Sequence, residues 1–189
     1  MRTILSTMPR YNNSLRGKGT LEVGYPWLTL GAIVALERLV NSQMNILEFG
    51  SGGSTLFFSR RCKSVKSYEM NEAWYHKVKE FLPIPTNVTI IFGTALEIRE
   101  ALIKEPFEYY DLILADSGPS YDDRLDFAND SIPKLKVGGY LVIDNYDKKE
   151  MKQFNYQNWD VYTFDAMHPR YQGKGTRICI KLQYGEAEK

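Results

Sequence analysis

Two cysteines and two histidines are all that the 189 residues contain, and that scarcity excludes whole classes of protein. Cys62 follows the basic pair Arg60-Arg61 and Cys179 lies in an apolar run, so neither has the paired spacing of a zinc site. Two free thiols in a reducing compartment are expected. An excess of one charge is missing too: 24 Lys and Arg stand against 23 Asp and Glu, so no overall field draws the chain onto nucleic acid or an anionic membrane. A small, neutral partner suits that balance better, and a homodimer is left open. No apolar run reaches membrane-spanning length, and Met1 to Arg16 is broken by Pro9 and Asn12-Asn13, which leaves no signal-peptide core. A cytoplasmic protein with no membrane partner is expected. The triphosphate-binding pattern G-x-x-x-x-G-K-[ST] is also absent. Gly17-Lys18-Gly19-Thr20 and Gly173-Lys174-Gly175-Thr176 lack the upstream glycine and follow no suitable strand.

What is present is a chain that is 43% hydrophobic, enough for one domain with a core of its own. Residues 1–24 are polar, contain glycine and carry Arg2, Arg10, Arg16 and Lys18, which reads as a flexible arm or a lid; residues 25–189 read as a single domain. Pro26 sits where a helix would start, with Leu28, Ala32, Leu36, Leu39 and Val40 on one face. Short apolar runs then alternate with amphipathic segments, the pattern of a parallel sheet wrapped by helices. The expected strands are Asn45 to Phe49, Val65 to Glu69, Val88 to Phe92, Asp111 to Asp116 and Tyr140 to Asp144. Helices should follow Ser54, Ala95, Asp122 and Asp147. Another should start at Asn71 as N-cap, bury Trp74, Tyr75, Val78, Phe81 and Leu82, and stop before Pro83. Trp159 to Phe164 and Arg177 to Leu182 leave no room for a helix between them, so they predict an antiparallel hairpin.

The first strand runs into Glu48-Phe49-Gly50-Ser51-Gly52-Gly53-Ser54-Thr55. Glycines in such a turn let the backbone approach a ligand closely. Glu69 closes the next strand, where a carboxylate can accept hydrogen bonds from both ribose hydroxyls of an adenosine group. Together these describe an adenosine site. A dinucleotide becomes the runner-up as ligand, because Thr55 stands where the third glycine of G-x-G-x-x-G belongs.

Three segments, Ile46 to Thr55, Tyr110 to Asp116 and Leu135 to Asp144, resemble those of the class I S-adenosylmethionine-dependent methyltransferases, especially their small O-methyltransferase-like members. The resemblance implies an α/β, Rossmann-like three-layer sandwich with a seven-stranded, mostly parallel sheet whose last strand is antiparallel. It implies that Glu48 and the turn Gly50, Ser51, Gly52, Gly53 and Ser54 hold the methionine part of S-adenosylmethionine. Glu69 would hold the ribose, Met70 would lie against the adenine, and Asp116 would stand beside the methyl group. Thr94 stands where many members carry Asp, so adenine recognition falls to Thr94 or the Ala95 backbone.

Methyl transfer from an activated sulfonium asks the protein mainly for orientation and for removal of a proton. Asp116 and His168, one at a strand end and one in the hairpin loop, are the candidates for the proton. The chain lacks the Asn/Asp-Pro-Pro-Tyr/Phe stretch with which related enzymes methylate amino groups, which favours a hydroxyl oxygen of a small-molecule acceptor. Asp116, Asp144 and Asn145 are also similar to the metal ligands of cation-dependent catechol-type members, and could hold Mg²⁺. Other readings are an aminopropyltransferase-like enzyme, since Asp116-Ser117-Gly118-Pro119 loosely resembles that group, a non-catalytic adenosine-ligand module, or a nucleic-acid modifying subunit recruited through its basic arm.

Overall fold

Strand residues that read as unbroken apolar runs divide between two faces of one sheet, and that division builds the protein. A computed structural model of the chain describes residues 18–81, 85–165 and 175–183. Along it run α1 (Thr20–Val23), α2 (Leu30–Leu39), β1 (Asn45–Phe49), α3 (Gly53–Ser59), β2 (Ser64–Glu69), α4 (Glu72–Phe81), β3 (Val88–Phe92), α5 (Ala95–Lys104) and β4 (Tyr110–Ala115). There follow α6 (Tyr121–Ser131), β5 (Leu135–Asp144), β6 (Trp159–Phe164) and β7 (Thr176–Lys181). The sheet order is β3-β2-β1-β4-β5-β7-β6. The first five of these pair in parallel, while β7 runs antiparallel to both β5 and β6. This is the expected Rossmann-like sheet with its antiparallel last strand.

Leu47, Phe49, Ile113, Ala115, Leu141 and Ile143 point to one face, where Ile98 and Leu102 of α5 and Phe127 of α6 cover them. Ile46, Leu112, Leu114 and Val142 point to the other, under Ala32, Ile33 and Leu36 of α2 and Phe57 and Phe58 of α3. A strand covered on both faces has no reason to alternate apolar with polar residues, which explains the continuous runs. Cys62 and Cys179 are buried and unpaired, and burial pushes their thiols up to about 11 and about 12. They behave as packing groups. No helix among the described residues is long and apolar enough to cross a membrane.

Several boundaries differ from the sequence reading. The helix expected from Pro26 begins at Leu30, because the Thr29 N–H is tied to Thr176 Oγ1 on β7 at 3.2 Å and Leu28 is fully buried ahead of the first turn. In α4 only Val78 is buried, and Phe81 is 44% exposed. This helix lies at the sheet's β3 edge, where little surface is available to cover it; Leu82 lies outside the described residues. After Asp147 there is only a 3-10 turn, Met151–Gln153, anchored by the buried Met151 and Phe154. Within the expected arm, residues 20–23 form α1, which buries Leu21 against Leu56 and Val78. Residues 1–17 lie outside the described part.

Candidate active site

The carboxyl ends of β1, β2 and β4 open onto a cavity of about 400 Å³, within the range of small-ligand sites. Its floor is the turn after β1. Gly50 and Gly52 have φ of 99° and 142°, conformations that other residues rarely adopt. A Cβ on Gly50 would come 2.8 Å from that of Ser117, and one on Gly53 would run into the backbone carbonyls of Tyr25 and Thr20. Protein atoms therefore already fill the space that a Cβ would need at Gly50 and Gly53. Trp74, on the first turn of α4, donates from Nε1 to the Ser51 carbonyl at 2.7 Å. Asn71 caps that helix as expected, its Oδ1 accepting from the Trp74 N–H at 2.9 Å.

Glu69 ends β2 on the cavity wall and is only 3% exposed. One carboxylate oxygen accepts from the Met70 and Asn71 N–H groups at 3.0 and 2.9 Å, the other from Ser51 Oγ at 2.7 Å. These bonds aim the group, and a carboxylate offers about four acceptor positions, so it retains capacity for a ligand hydroxyl. Asp116 and Ser117, just past β4, close the far side of the wall.

The structure brings together Gly50, Ser51, Gly53, Ser54, Glu69 and Asp116 of the expected site. It places Glu48, Gly52, Met70, Thr94 and Ala95 off that wall. Gly52 lies under Trp74, Met70 packs against the core, and Thr94 caps α5 through a reciprocal exchange with Glu97, with Ala95 as the first helical residue. Glu48 is fully buried behind the turn. Its Oε1 accepts from Thr55 Oγ1 and Ser67 Oγ, each at 2.5 Å, while Oε2 finds no partner among the described residues. Burial pushes this carboxyl up to about 7, opposed chiefly by the Ser67 and Thr55 hydroxyls and assisted by the charge of Glu69. Thr55 Oγ1 also accepts from the Gly52 N–H at 2.8 Å, so Glu48 braces the turn from inside. His168 lies outside the described residues.

Sequence reasoning missed Thr20, Pro26, Trp27, Asn71 and Trp74 as wall residues. The arm and the start of α4 come to the turn through tertiary packing, and no local motif marks them.

The expected cation ligands do not fit a metal ion. Asp144 is 2% exposed and accepts from Thr176 Oγ1 at 2.9 Å. Arg124 Nη1, from α6, reaches Asn145 Oδ1 at 3.1 Å, the Asp144 carbonyl at 3.4 Å and Asp116 Oδ1 at 3.7 Å. A dication about 4 Å from that guanidinium would meet a repulsion of roughly 8 kcal/mol at an effective dielectric of about 20. Among the described residues no group of three or more His, Cys, Asp or Glu could hold a metal ion. The expectation of Mg²⁺ at Asp116, Asp144 and Asn145 is thus not supported.

A family described as Methyltransferase domain matches residues 47–146, more than half of the chain and all of the turn, Glu69 and Asp116. The chain belongs to this methyltransferase family. The expected class, an S-adenosylmethionine-dependent methyltransferase, stands with it. No curated protein shows significant similarity to this methyltransferase. Among solved structures it is similar to a candidate caffeoyl-CoA O-methyltransferase from Staphylococcus aureus, at 22% identity and a TM-score of 0.63 over 94% of this chain and 99% of that one. It is similar to the O-methyltransferase TomG of Streptomyces achromogenes, solved with S-adenosylmethionine, at 15% identity and a TM-score of 0.65 over 79% and 77% of the two chains. An rRNA methylase from Streptococcus thermophilus aligns at 16% identity and a TM-score of 0.62 over 80% and 96%. At such identities these likenesses speak for the fold.

Proposed function

We propose that this methyltransferase binds S-adenosylmethionine in the cavity at the carboxyl ends of β1, β2 and β4 and moves its methyl group to a hydroxyl oxygen of a small molecule. The observation that carries the reading is the cavity itself, in which a glycine turn with no room for a Cβ faces a carboxylate held by two backbone N–H groups and one hydroxyl. These features fit an adenosine ligand with a flexible methionine tail. The Gly50 to Ser54 backbone would take the methionine part, Glu69 a ribose hydroxyl, and Trp74 would keep the turn in shape. When bound, S-adenosylmethionine supplies an electrophilic methyl carbon whose bonding pair to sulfur leaves with the sulfur. Asp116, on the wall opposite the turn, would orient the acceptor hydroxyl in line with that carbon and take its proton as the oxygen–carbon bond forms. Trp27 on the same wall offers an apolar surface to the acceptor.

The test is calorimetry with S-adenosylhomocysteine, followed by a screen of hydroxylated acceptors. Glu69→Ala should weaken binding by roughly 1.5 to 3 kcal/mol, the worth of charge-assisted hydrogen bonds. Absence of binding by the wild type, or equal binding by the variant, would refute the assignment. Transfer only to amino acceptors or to RNA would refute the oxygen assignment alone.

A further inference from the structure

The place where β4 and β5 end side by side is filled from within the chain. Arg124 projects from the second turn of α6, and its side chain is 12% exposed. One nitrogen of its guanidinium is shared among Asn145 Oδ1, the Asp144 carbonyl and Asp116 Oδ1. The Tyr121 ring, one turn earlier on α6, lies 5.2 Å from the guanidinium carbon. The loop from Ser117 to Ser120 leaves no slack: a Cβ on Gly118 would stand 2.9 Å from the Arg124 backbone nitrogen. Asn145 is held at φ 57° with its oxygen toward Arg124. Two further atoms here, Arg124 Nε and Asn145 Nδ2, are buried and find no partner among the described residues. Both are hydrogen-bond donors. A cation needs oxygen lone pairs; these groups present N–H bonds instead, and the lone pairs of Asn145 Oδ1 and Asp116 Oδ1 already face a positive charge.

We propose that Arg124 occupies the position a divalent ion would need between Asp116 and Asn145, excludes such an ion, and supplies in its place the fixed positive charge beside Asp116. This rests on the reading of Asp116 as the acceptor-side carboxylate. The acceptor hydroxyl is then oriented by protein groups alone, and the charge that stabilises the Asp116 carboxylate is fixed to α6 by a covalent stem.

The probe is Mn²⁺, followed through the electron paramagnetic resonance signal of the free ion, on full-length protein saturated with S-adenosylhomocysteine. Wild type and Arg124→Lys should bind no Mn²⁺ more tightly than about 1 mM, the weak end of protein sites. Arg124→Ala and the bulkier Arg124→Gln should bind it at least about tenfold more tightly, because the oxygens of Asp116 and Asn145 then lose their internal cation. That binding should vanish again when Asp116→Asn is added. Circular dichroism shows which variants are folded, and either neutral variant suffices. Stoichiometric Mn²⁺ binding by the wild type that Asp116→Asn removes would overturn the proposal. So would failure of the folded neutral variants to bind. Calorimetry with S-adenosylhomocysteine on the same samples separates the two readings: loss of cofactor binding by the wild type refutes the functional assignment, whereas the Mn²⁺ result judges Arg124.

Discussion

Between about pH 5 and pH 8 the stability of Glu48→Gln relative to the wild type is expected to rise by about 2 to 3 kcal/mol. Glu48 has no exposed surface and an ordinary value of 4.5 that burial pushes up to about 7. At about 1.4 kcal/mol for each pH unit, that span corresponds to about 3 kcal/mol in all, most of it between those two pH values. The sign follows from proton counts. In the window from 4.5 to about 7 the folded protein keeps a proton that the unfolded chain has released. Wild-type stability therefore falls as pH rises through the window, and the loss is complete above it. Gln carries no charge, so its stability has no such slope. Its amide oxygen can accept from Thr55 and Ser67 as Glu48 does, while its NH₂ replaces an oxygen that lacks a partner among the described residues. Those unsatisfied donors cost about 1 to 3 kcal/mol at every pH, which shifts both ends of the comparison equally and leaves the difference intact. Urea unfolding across the pH series measures it. A difference that stays flat, or that falls with pH, would refute the argument that Glu48 is buried with an incompletely satisfied carboxyl. Calorimetry adds a functional check, since Glu48 stands behind the wall: the variant should bind S-adenosylhomocysteine within about threefold of the wild type, a change under about 1 kcal/mol.

Glu105 gathers Lys66 Nζ at 2.7 Å, the Tyr68 hydroxyl at 2.6 Å and the Tyr110 hydroxyl at 2.5 Å, so Glu105→Ala should cost roughly 3 kcal/mol in urea unfolding near neutrality by leaving three donors without their acceptor. Burial pushes the Glu105 carboxyl up, but Lys66, Tyr110 and Tyr68 outweigh it and hold the group below its ordinary value. The part of its contribution that depends on charge is thus full above the ordinary carboxylate range and lost as pH falls through the lowered folded value, so the gap between variant and wild type should narrow in acid. Gly53→Ala should abolish detectable S-adenosylhomocysteine binding and lower the melting temperature, because the added methyl meets the Tyr25 and Thr20 carbonyls; unchanged calorimetry would show that the turn is not the cradle.

Local rules reach far in this chain. The sequence alone determined β1, β3 and β6 to the residue, the Asn71 cap, the hairpin, and the turn after β1 with Glu69 beside it, because apolar run length, capping chemistry and glycine spacing act over a few residues. It also placed Asp116 at a strand end on the cavity wall. Whether a carboxylate near that turn faces the ligand or the core was beyond it. Glu48 stands one residue before the end of β1 and Glu69 ends β2, yet one braces the turn from behind and the other lines the cavity, each held by its own hydroxyls, Thr55 and Ser67 for Glu48 and Ser51 for Glu69. Thr20 enters the wall only because α1 docks on α3, and α2 begins late because Thr176 holds the Thr29 N–H from 147 residues away. Arg124 reads as an ordinary helix residue until β4, β5 and α6 converge. Spacing along the chain can bring three oxygen-bearing side chains to one sheet end, but only the packed structure decides which positive charge stands among them, since that charge comes from a different element whose angle is set by the core.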